Sequence, residues 1–385
     1  MSLQSFLATK PLYYDRIDLS RMPRAYAAVA PRLSLGQVVH LVGTNGKGST
    51  GRMLATMLHA AGLRVGHYTS PHILRFNERV WIDGEEASDS SLEQAYEKLR
   101  MWLPSEMAEA LSYFEYTTLL ALVAFEGCDV IVLEAGLGGE FDATNVVPKG
   151  LSVVTPIGLD HQAFLGDEIE SIAATKLRSI DKRALLAPQP YEEVYEVAAR
   201  IAADKGAVIY RTEEVIEERE REGVATVAER MRWPSFLRQN AETAVAAYRL
   251  SQRGEASWEA LKRFKLRGRF ERIGERVILD VGHNPLGAQA VAEALKGERR
   301  LLVYNALADK DVEGVLSALK PIARRLEVIE IDDERAMDRR KLLTIAHALG
   351  YEVGAFDRVS PDSDYLVFGS FHVAEAFLRR IEEVG

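Results

Sequence analysis

Gly43-Thr44-Asn45-Gly46-Lys47-Gly48-Ser49-Thr50 follows the apolar run Val38, Val39, Leu41 and Val42. It precedes Met53, Leu54, Met57, Leu58 and Ala61, which share one face of a helix. Strand, glycine turn, lysine, hydroxyl and helix together make a cradle for a nucleotide triphosphate. Glycines let backbone N–H groups close on phosphate oxygens, and the helix N-terminus adds positive potential. Lys47 can reach the β and γ phosphates, and Ser49 or Thr50 can offer a hydroxyl to Mg²⁺. The strict phosphate-loop pattern places four residues between its first glycine and the Gly-Lys pair, whereas here only Thr44 and Asn45 intervene. A plain glycine turn before a helix is the alternative reading. The strand–helix context favours ATP, with Gly43 to Thr50 as its binding loop.

Composition narrows the class. The 385 residues suffice for two domains, and 47% hydrophobic with 27% charged residues describes a globular chain. The single Cys128 excludes an intrachain disulfide and suits a reducing compartment. No apolar run approaches the roughly 18–20 residues that span a bilayer, and Met1 to Lys10 lacks the order of a secretory signal. A cytoplasmic protein without a membrane partner is expected. The net charge of -9 argues against a general nucleic-acid binder. The length makes a monomer the default.

Strand-like and helix-like segments alternate, which predicts α/β architecture with a mainly parallel sheet. After the first strand and helix come strands at Val65–Tyr68, Val130–Leu133 and Leu151–Thr155, with a buried helix at Tyr113–Glu126. Asp167–Lys176 reads as a helix, followed by strands at Ala184–Ala187 and Val208–Tyr210 around a helix at Tyr191–Ala203. The charged run Glu213–Glu222 reads as a solvated helix or loop. Past Lys265-Leu266-Arg267-Gly268-Arg269 a second alternation begins, with strands at Val277–Leu279, Leu301–Tyr304, Leu326–Ile331 and Tyr365–Phe368. Helices are predicted from Leu286, Val312 and Arg339. The expected division is an ATP-binding domain over residues 1–264, a linker at 265–270 and a C-terminal domain over 271–385.

Open parallel sheets bind ligands beyond the carboxyl ends of their strands. Glu134, His161 and Ser70 each follow a predicted strand, and with Ser49 they could complete the shells of Mg²⁺ on a triphosphate. Mg²⁺ prefers oxygen, so the His161 imidazole is the least usual member of that set. A structural role beside a glycine turn is the alternative for each. Joint placement at strand ends beside a phosphate loop favours the metal.

Collinear segments then carry a resemblance. Gly43-Thr44-Asn45-Gly46-Lys47-Gly48-Ser49, Thr69-Ser70-Pro71-His72, Phe76-Asn77-Glu78-Arg79 and Phe114-Glu115-Tyr116-Thr117-Thr118 resemble the folylpolyglutamate synthase/dihydrofolate synthase family. So do Glu134-Ala135-Gly136-Leu137-Gly138-Gly139, Asp142-Ala143-Thr144-Asn145 and Asp160-His161-Gln162-Ala163-Phe164-Leu165-Gly166. The second half adds Gly268-Arg269-Phe270, Leu279-Asp280-Val281-Gly282-His283-Asn284-Pro285, Asp309-Lys310-Asp311 and Phe368-Gly369-Ser370. The related muramyl-peptide ligases share the phosphate loop, but the Ser-Pro-His and Phe-Asn-Glu-Arg segments point to the folate branch.

The resemblance implies a P-loop nucleotide-binding domain with a mainly parallel sheet, plus a smaller C-terminal Rossmann-like α/β domain acting in glutamate ligation. It implies an ATP- and Mg²⁺-dependent amide ligase that joins L-glutamate to dihydropteroate, reduced folates or both through an acyl phosphate. Lys47 is then assigned to the phosphates, and Ser49, Ser70, Glu134 and His161 to magnesium. Asn240, Arg269 and Asp280 resemble positions that reach the nucleotide. His283 resembles the position implicated in glutamate placement and ligation, with Ser370 near the same substrate. Many members carry an N-carboxylated lysine in a Glu-Lys-Ala-Gly-Ile segment. Here Thr175-Lys176-Leu177-Arg178-Ser179-Ile180 keeps Lys and Ile but lacks the Glu and Gly, so Lys176 is either that catalytic group or an ordinary helix lysine. Tyr13, Tyr14, Asp15, Phe76 and Tyr116 are candidates for a pterin-facing wall or for core packing. A muramyl-type ligase on another carboxylate and a non-catalytic nucleotide switch are the competing functions.

Overall fold

The computed structural model describes residues 1–11, 18–160, 162–252 and 256–382. His161, Tyr13, Tyr14 and Asp15 lie outside the described residues. The chain forms two units. Unit 1 holds Met1–Ile157, Ile169–Val227 and Gln239–Phe264, and unit 2 holds Gly158–Glu168, Ala228–Arg238 and Lys265–Gly385.

Unit 1 is built on eight strands: β1 (Gln37–Val42), β2 (Val65–Tyr68), β3 (Val80–Ile82), β4 (Glu85–Glu86), β5 (Val130–Glu134), β6 (Leu151–Val154), β7 (Arg183–Leu186) and β8 (Val208–Arg211). Their order is β4-β3-β2-β5-β1-β6-β7-β8. The six from β2 to β8 pair in parallel, while β3 and β4 extend the edge antiparallel. Parallel strands covered on both faces are buried along their length, as β1, β2, β5 and β6 are, with His40, His67 and Ser152 buried among their apolar residues. β1 sits between β5 and β6, and the chain returns on opposite sides of it, so the loop after β1 occupies a topological switch point.

The helix Tyr113–Ala124 shows why this sheet is covered. Ser112 Oγ accepts from the Glu115 N–H at 3.2 Å, and Glu115 Oε2 accepts from the Ser112 N–H at 2.8 Å, a reciprocal cap that starts the helix. Leu119, Leu120, Leu122 and Val123 are buried, and each large side chain removed from water contributes about 1.5–3 kcal/mol. Tyr116 belongs to this core, fully buried against Phe6 and Tyr96, whereas Phe76 is half-buried beside His72 and Tyr113.

The charged run becomes two helices, Thr212–Val215 and Glu218–Met231. It is not wholly solvated. Glu220 is fully buried and accepts from Arg249 Nη1 at 3.1 Å, and the buried carboxylate is stable there because that guanidinium pairs with it.

Unit 2 carries six strands: β9 (Glu271–Ile273), β10 (Val277–Leu279), β11 (Arg300–Tyr304), β12 (Ala323–Val328), β13 (Val353–Ala355) and β14 (Tyr365–Phe368). The order is β13-β12-β11-β14-β10-β9, parallel throughout except β9 against β10. β12 begins three residues earlier than the apolar stretch predicts, because Ala323 and Arg325 already pair with Arg300 and Leu301 while Arg324, skipped at a bulge, faces solvent. Its central strands β10, β11 and β14 are nearly all buried, so their carboxyl ends form a fixed platform for the loops that follow.

Candidate functional site

The loop after β1 is held by close packing. At Gly43 φ is 147°, and a Cβ there would lie 2.0 Å from Thr155 Oγ1 and 2.8 Å from Thr155 O. At Gly46 φ is 86°, and a Cβ would meet Asn240 Oδ1 at 2.7 Å. Only glycine satisfies both the backbone and the space. The N–H groups of Thr44 and Asn45 donate to Pro156 O at 2.9 and 3.1 Å, which ties the loop to the segment after β6. Gly46 then caps the helix Lys47–Ala60. Asn240 is buried against this glycine, though it lies in the second turn of the helix Ser235–Gln252 rather than at its start.

Two lysine side chains meet on one carbonyl. Lys47 Nζ donates to Gly43 O at 3.1 Å and to Thr44 O at 3.3 Å. Lys176, in the helix Ile169–Leu177 and 3% exposed, donates to the same Gly43 O at 3.1 Å. The Lys47 ammonium beside a helix N-terminus makes this loop a positive point on unit 1, suited to a polyanion.

Oxygen donors gather at the carboxyl ends of three neighbouring strands. Ser49 is buried in the first turn after β1. Thr69 and Ser70 follow β2, and Glu134 ends β5, opposite Leu41 of β1. Glu134 is buried and one carboxylate oxygen accepts from the Thr69 hydroxyl. Beneath them Arg52 is buried with its Nε donating to His67 Nδ1 at 3.0 Å. Burial lowers the Arg52 guanidinium to about 10, against the pull of Glu86 and Glu134. Burial, with Arg52 adjacent, holds His67 well below its ordinary value, so the ring stays neutral. Thr69 and Arg52 carry no metal or phosphate signal in the sequence; the apolar neighbours of Arg52 disguise it as a core position.

In unit 2 the segment before β9 and the loops after β10 and β14 carry the remaining candidates. Asp280 is buried; its Oδ2 accepts from the Phe270 N–H at 2.9 Å and its Oδ1 from the Gly282 N–H at 2.8 Å. Burial pushes this carboxyl up, opposed by Arg269, the two N–H donors and His283. Asp280 therefore pins the turn that presents Arg269 and the loop that presents His283. The Arg269 guanidinium lies 4.9 Å from the centre of the Phe371 ring, a cation–π contact. Ser370 is buried, and its Oγ accepts from the Val373 N–H at 3.2 Å at the start of the helix Phe371–Glu382. His283 Nδ1 faces Val281 O at 3.1 Å, and its Nε2 faces Asp160 Oδ2 at 3.2 Å. The sequence reading assigned nothing to Asp160 or Lys310, yet both contact this cluster. Their separation along the chain left no spacing signal.

Residues 268–370 match the family model described as "Mur ligase, glutamate ligase domain". The Escherichia coli dihydrofolate synthase/folylpolyglutamate synthase is 33% identical over 90% of this chain and 86% of its own length. The crystal structure of Helicobacter pylori folylpolyglutamate synthetase superposes with a TM-score of 0.80 at 39% identity, covering 99% of this chain and 98% of that one. A Yersinia pestis bifunctional folylpolyglutamate synthase/dihydrofolate synthase, solved with AMPPNP and Mn ion, gives a TM-score of 0.82 at 27% identity over 99% of this chain and 98% of that chain. Likeness at 33% identity over 86% of a relative's length, together with the phosphate loop and the second α/β unit, means that the chain belongs to the dihydrofolate synthase/folylpolyglutamate synthase family.

Proposed function

We propose that this protein is an ATP- and Mg²⁺-dependent amide ligase that joins L-glutamate to the carboxylate of dihydropteroate, of reduced folates, or of both. The observation that carries the reading is the Lys47 ammonium on the Gly43 carbonyl at a helix N-terminus, one strand away from the buried Glu134. A carboxylate resists amine attack through its charge and resonance, so it must first be activated. Its oxygen attacks the γ-phosphorus of ATP, the β–γ bridging P–O bond breaks, ADP departs and an acyl phosphate forms. The neutral glutamate amine then attacks the acyl carbon. A C–N bond forms, the C–O bond to phosphate breaks, and the nitrogen loses a proton. Phosphoryl transfer depends mainly on positioning and charge neutralisation, the roles proposed for the Gly43–Thr50 loop and Lys47.

Asn240, Arg269 and Asp280 are proposed to contact the nucleotide, and His283 and Ser370 to receive glutamate. The donor set of unit 1 fits a hard cation, because Ser49, Ser70 and Glu134 all offer oxygen at adjacent strand ends. With His161 they are the residues proposed to hold magnesium, which would neutralise charge on the triphosphate. Lys176 is included as an N-carboxylated lysine. Addition of CO₂ to its neutral amine forms an N–C bond and releases a proton, leaving an anionic oxygen donor in the buried Lys176 position. The functional boundary is placed at 265–270, with residues 1–264 and 271–385 on either side. The reading includes a cytoplasmic monomer, in keeping with the one buried Cys128, whose thiol burial raises to about 11.

The test is phosphate release from ATP, dependent on L-glutamate and measured separately with 7,8-dihydropteroate and tetrahydrofolate. Release with both is the result for a bifunctional synthase, and release with one assigns the branch. Release with neither, in folded protein supplied with Mg²⁺, contradicts the reading.

A further inference from the structure

We infer that Asp160 is a positioning residue for the ligation, its carboxylate setting the His283 ring and the Lys310 ammonium in place. Within unit 2 three nitrogen-bearing side chains from two loops converge on it. Lys310 Nζ donates to Asp160 Oδ1 at 2.8 Å. His283 Nε2 and Asn284 Nδ2 lie 3.2 and 3.1 Å from Oδ2. His283 and Asn284 follow β10, whereas Lys310 follows β11, and β14 lies between those strands. One carboxylate thus ties together two loops that the sheet holds apart. Burial raises the stakes, because the side chains of Lys310 and Asp160 are only 8% and 6% exposed. An ammonium at that depth needs an anionic partner, and Asp160 supplies it far more closely than Asp309 at 3.8 Å.

The other ends of these side chains are also fixed. His283 Nδ1 lies 3.1 Å from Val281 O, so each ring nitrogen faces an oxygen. Asn284 Oδ1 accepts from the Gly287 N–H at 2.8 Å and caps the helix Pro285–Ala294, while its Nδ2 turns to Asp160. Asp160 is therefore a side-chain acceptor shared by groups that are also held at Val281 O and the Gly287 N–H. Replacing it by Asn leaves a single oxygen of equal size. That oxygen can serve Lys310, or His283 and Asn284, but not both oxygen positions at once, because the new NH₂ group faces a donor.

The kinetic arm of the test rests on the ligase reading. Asp160→Asn and Lys310→Met are made singly and together in the full chain. Asp160→Asn is expected to lower kcat/KM for L-glutamate about tenfold or more while affinity for AMPPNP stays within about twofold. Because Asp160 acts through Lys310 and His283, the double variant should be no worse than the poorer single by more than about threefold. Wild-type kcat/KM in Asp160→Asn, or losses that multiply fully in the double variant, overturn the inference. A second readout needs no turnover: the ring ¹H–¹³C correlation of His283 should move in Asp160→Asn. If the wild-type protein shows no glutamate-dependent turnover, the ligase reading fails and this ring signal decides alone. An unmoved His283 signal overturns the positioning role.

Discussion

Lys47→Ala should abolish nearly all ATP-dependent turnover in a protein that still folds. Its ammonium donates to Gly43 O and Thr44 O, both backbone acceptors of its own loop, and the side chain is only partly buried. Removing it leaves no large cavity in the core and no buried partner charge unpaired, so melting should change little. What disappears is a cation aimed at the site of a polyanion. Loss of one such preorganised donor costs roughly 10²–10³-fold in kcat, about 3–4 kcal/mol of transition-state stabilisation. The measurement is steady-state phosphate release alongside a thermal melt. Near-wild-type kcat in the folded variant would remove Lys47 from the chemistry.

Glu134→Gln should have a comparable effect by a different route. The wild-type carboxylate accepts from the Thr69 hydroxyl, and Gln keeps one oxygen of the same reach for that bond. Fold and stability are therefore largely preserved, whereas the negative charge at the end of β5 is lost. A hard cation binds carboxylate far better than amide, so the Mg²⁺ concentration for half-maximal turnover should rise, with kcat down about 10²-fold at fixed Mg²⁺. Buried Arg52 also loses one of the two carboxylates that support its charge. An unchanged Mg²⁺ dependence would mean that Glu134 serves Thr69 and Arg52 and not a metal.

Much of the architecture was legible where burial forces a continuous pattern. β1, β5 and β6 are covered on both faces, so their mostly apolar residues mark them directly, whereas β2 is marked by Val65 and Tyr68 around Gly66 and His67. The phosphate loop was legible for a related reason: Gly43 and Gly46 occupy positive φ in contact with Thr155 and Asn240, where no side chain fits. Short antiparallel edges escaped. β3, β4 and β9 have three residues or fewer, and their order depends on a neighbouring strand rather than on their own pattern. The helix Asp89–Trp102 was also unread, although Ser88 Oγ caps it by accepting from the Ser91 N–H at 3.1 Å. Charge misled at Glu220, which is buried because Arg249, 29 positions on, reaches it.

The candidate site divides along the same line. Lys47, Ser49 and Glu134 announce themselves because each adjoins a glycine turn at a strand end. Thr69 announces nothing by type, and its meaning comes from the bond to Glu134. Asp160 and Lys310 stand 150 positions apart, and only the folded loops bring their charges to 2.8 Å. Asn240 was placed by resemblance, and its burial against Gly46 supplies a physical reason for an amide there.

The central claim is activation of a carboxylate as its acyl phosphate, and one isotope experiment tests it most directly. Dihydropteroate or a reduced folate is prepared with oxygen-18 in the carboxylate that receives glutamate. It is then incubated with the protein, ATP, Mg²⁺ and L-glutamate. Because the carboxylate oxygen that attacks phosphorus leaves with the phosphate, the inorganic phosphate released should carry oxygen-18, in step with formation of the amide. Amide formation with phosphate free of the label would contradict the mechanism.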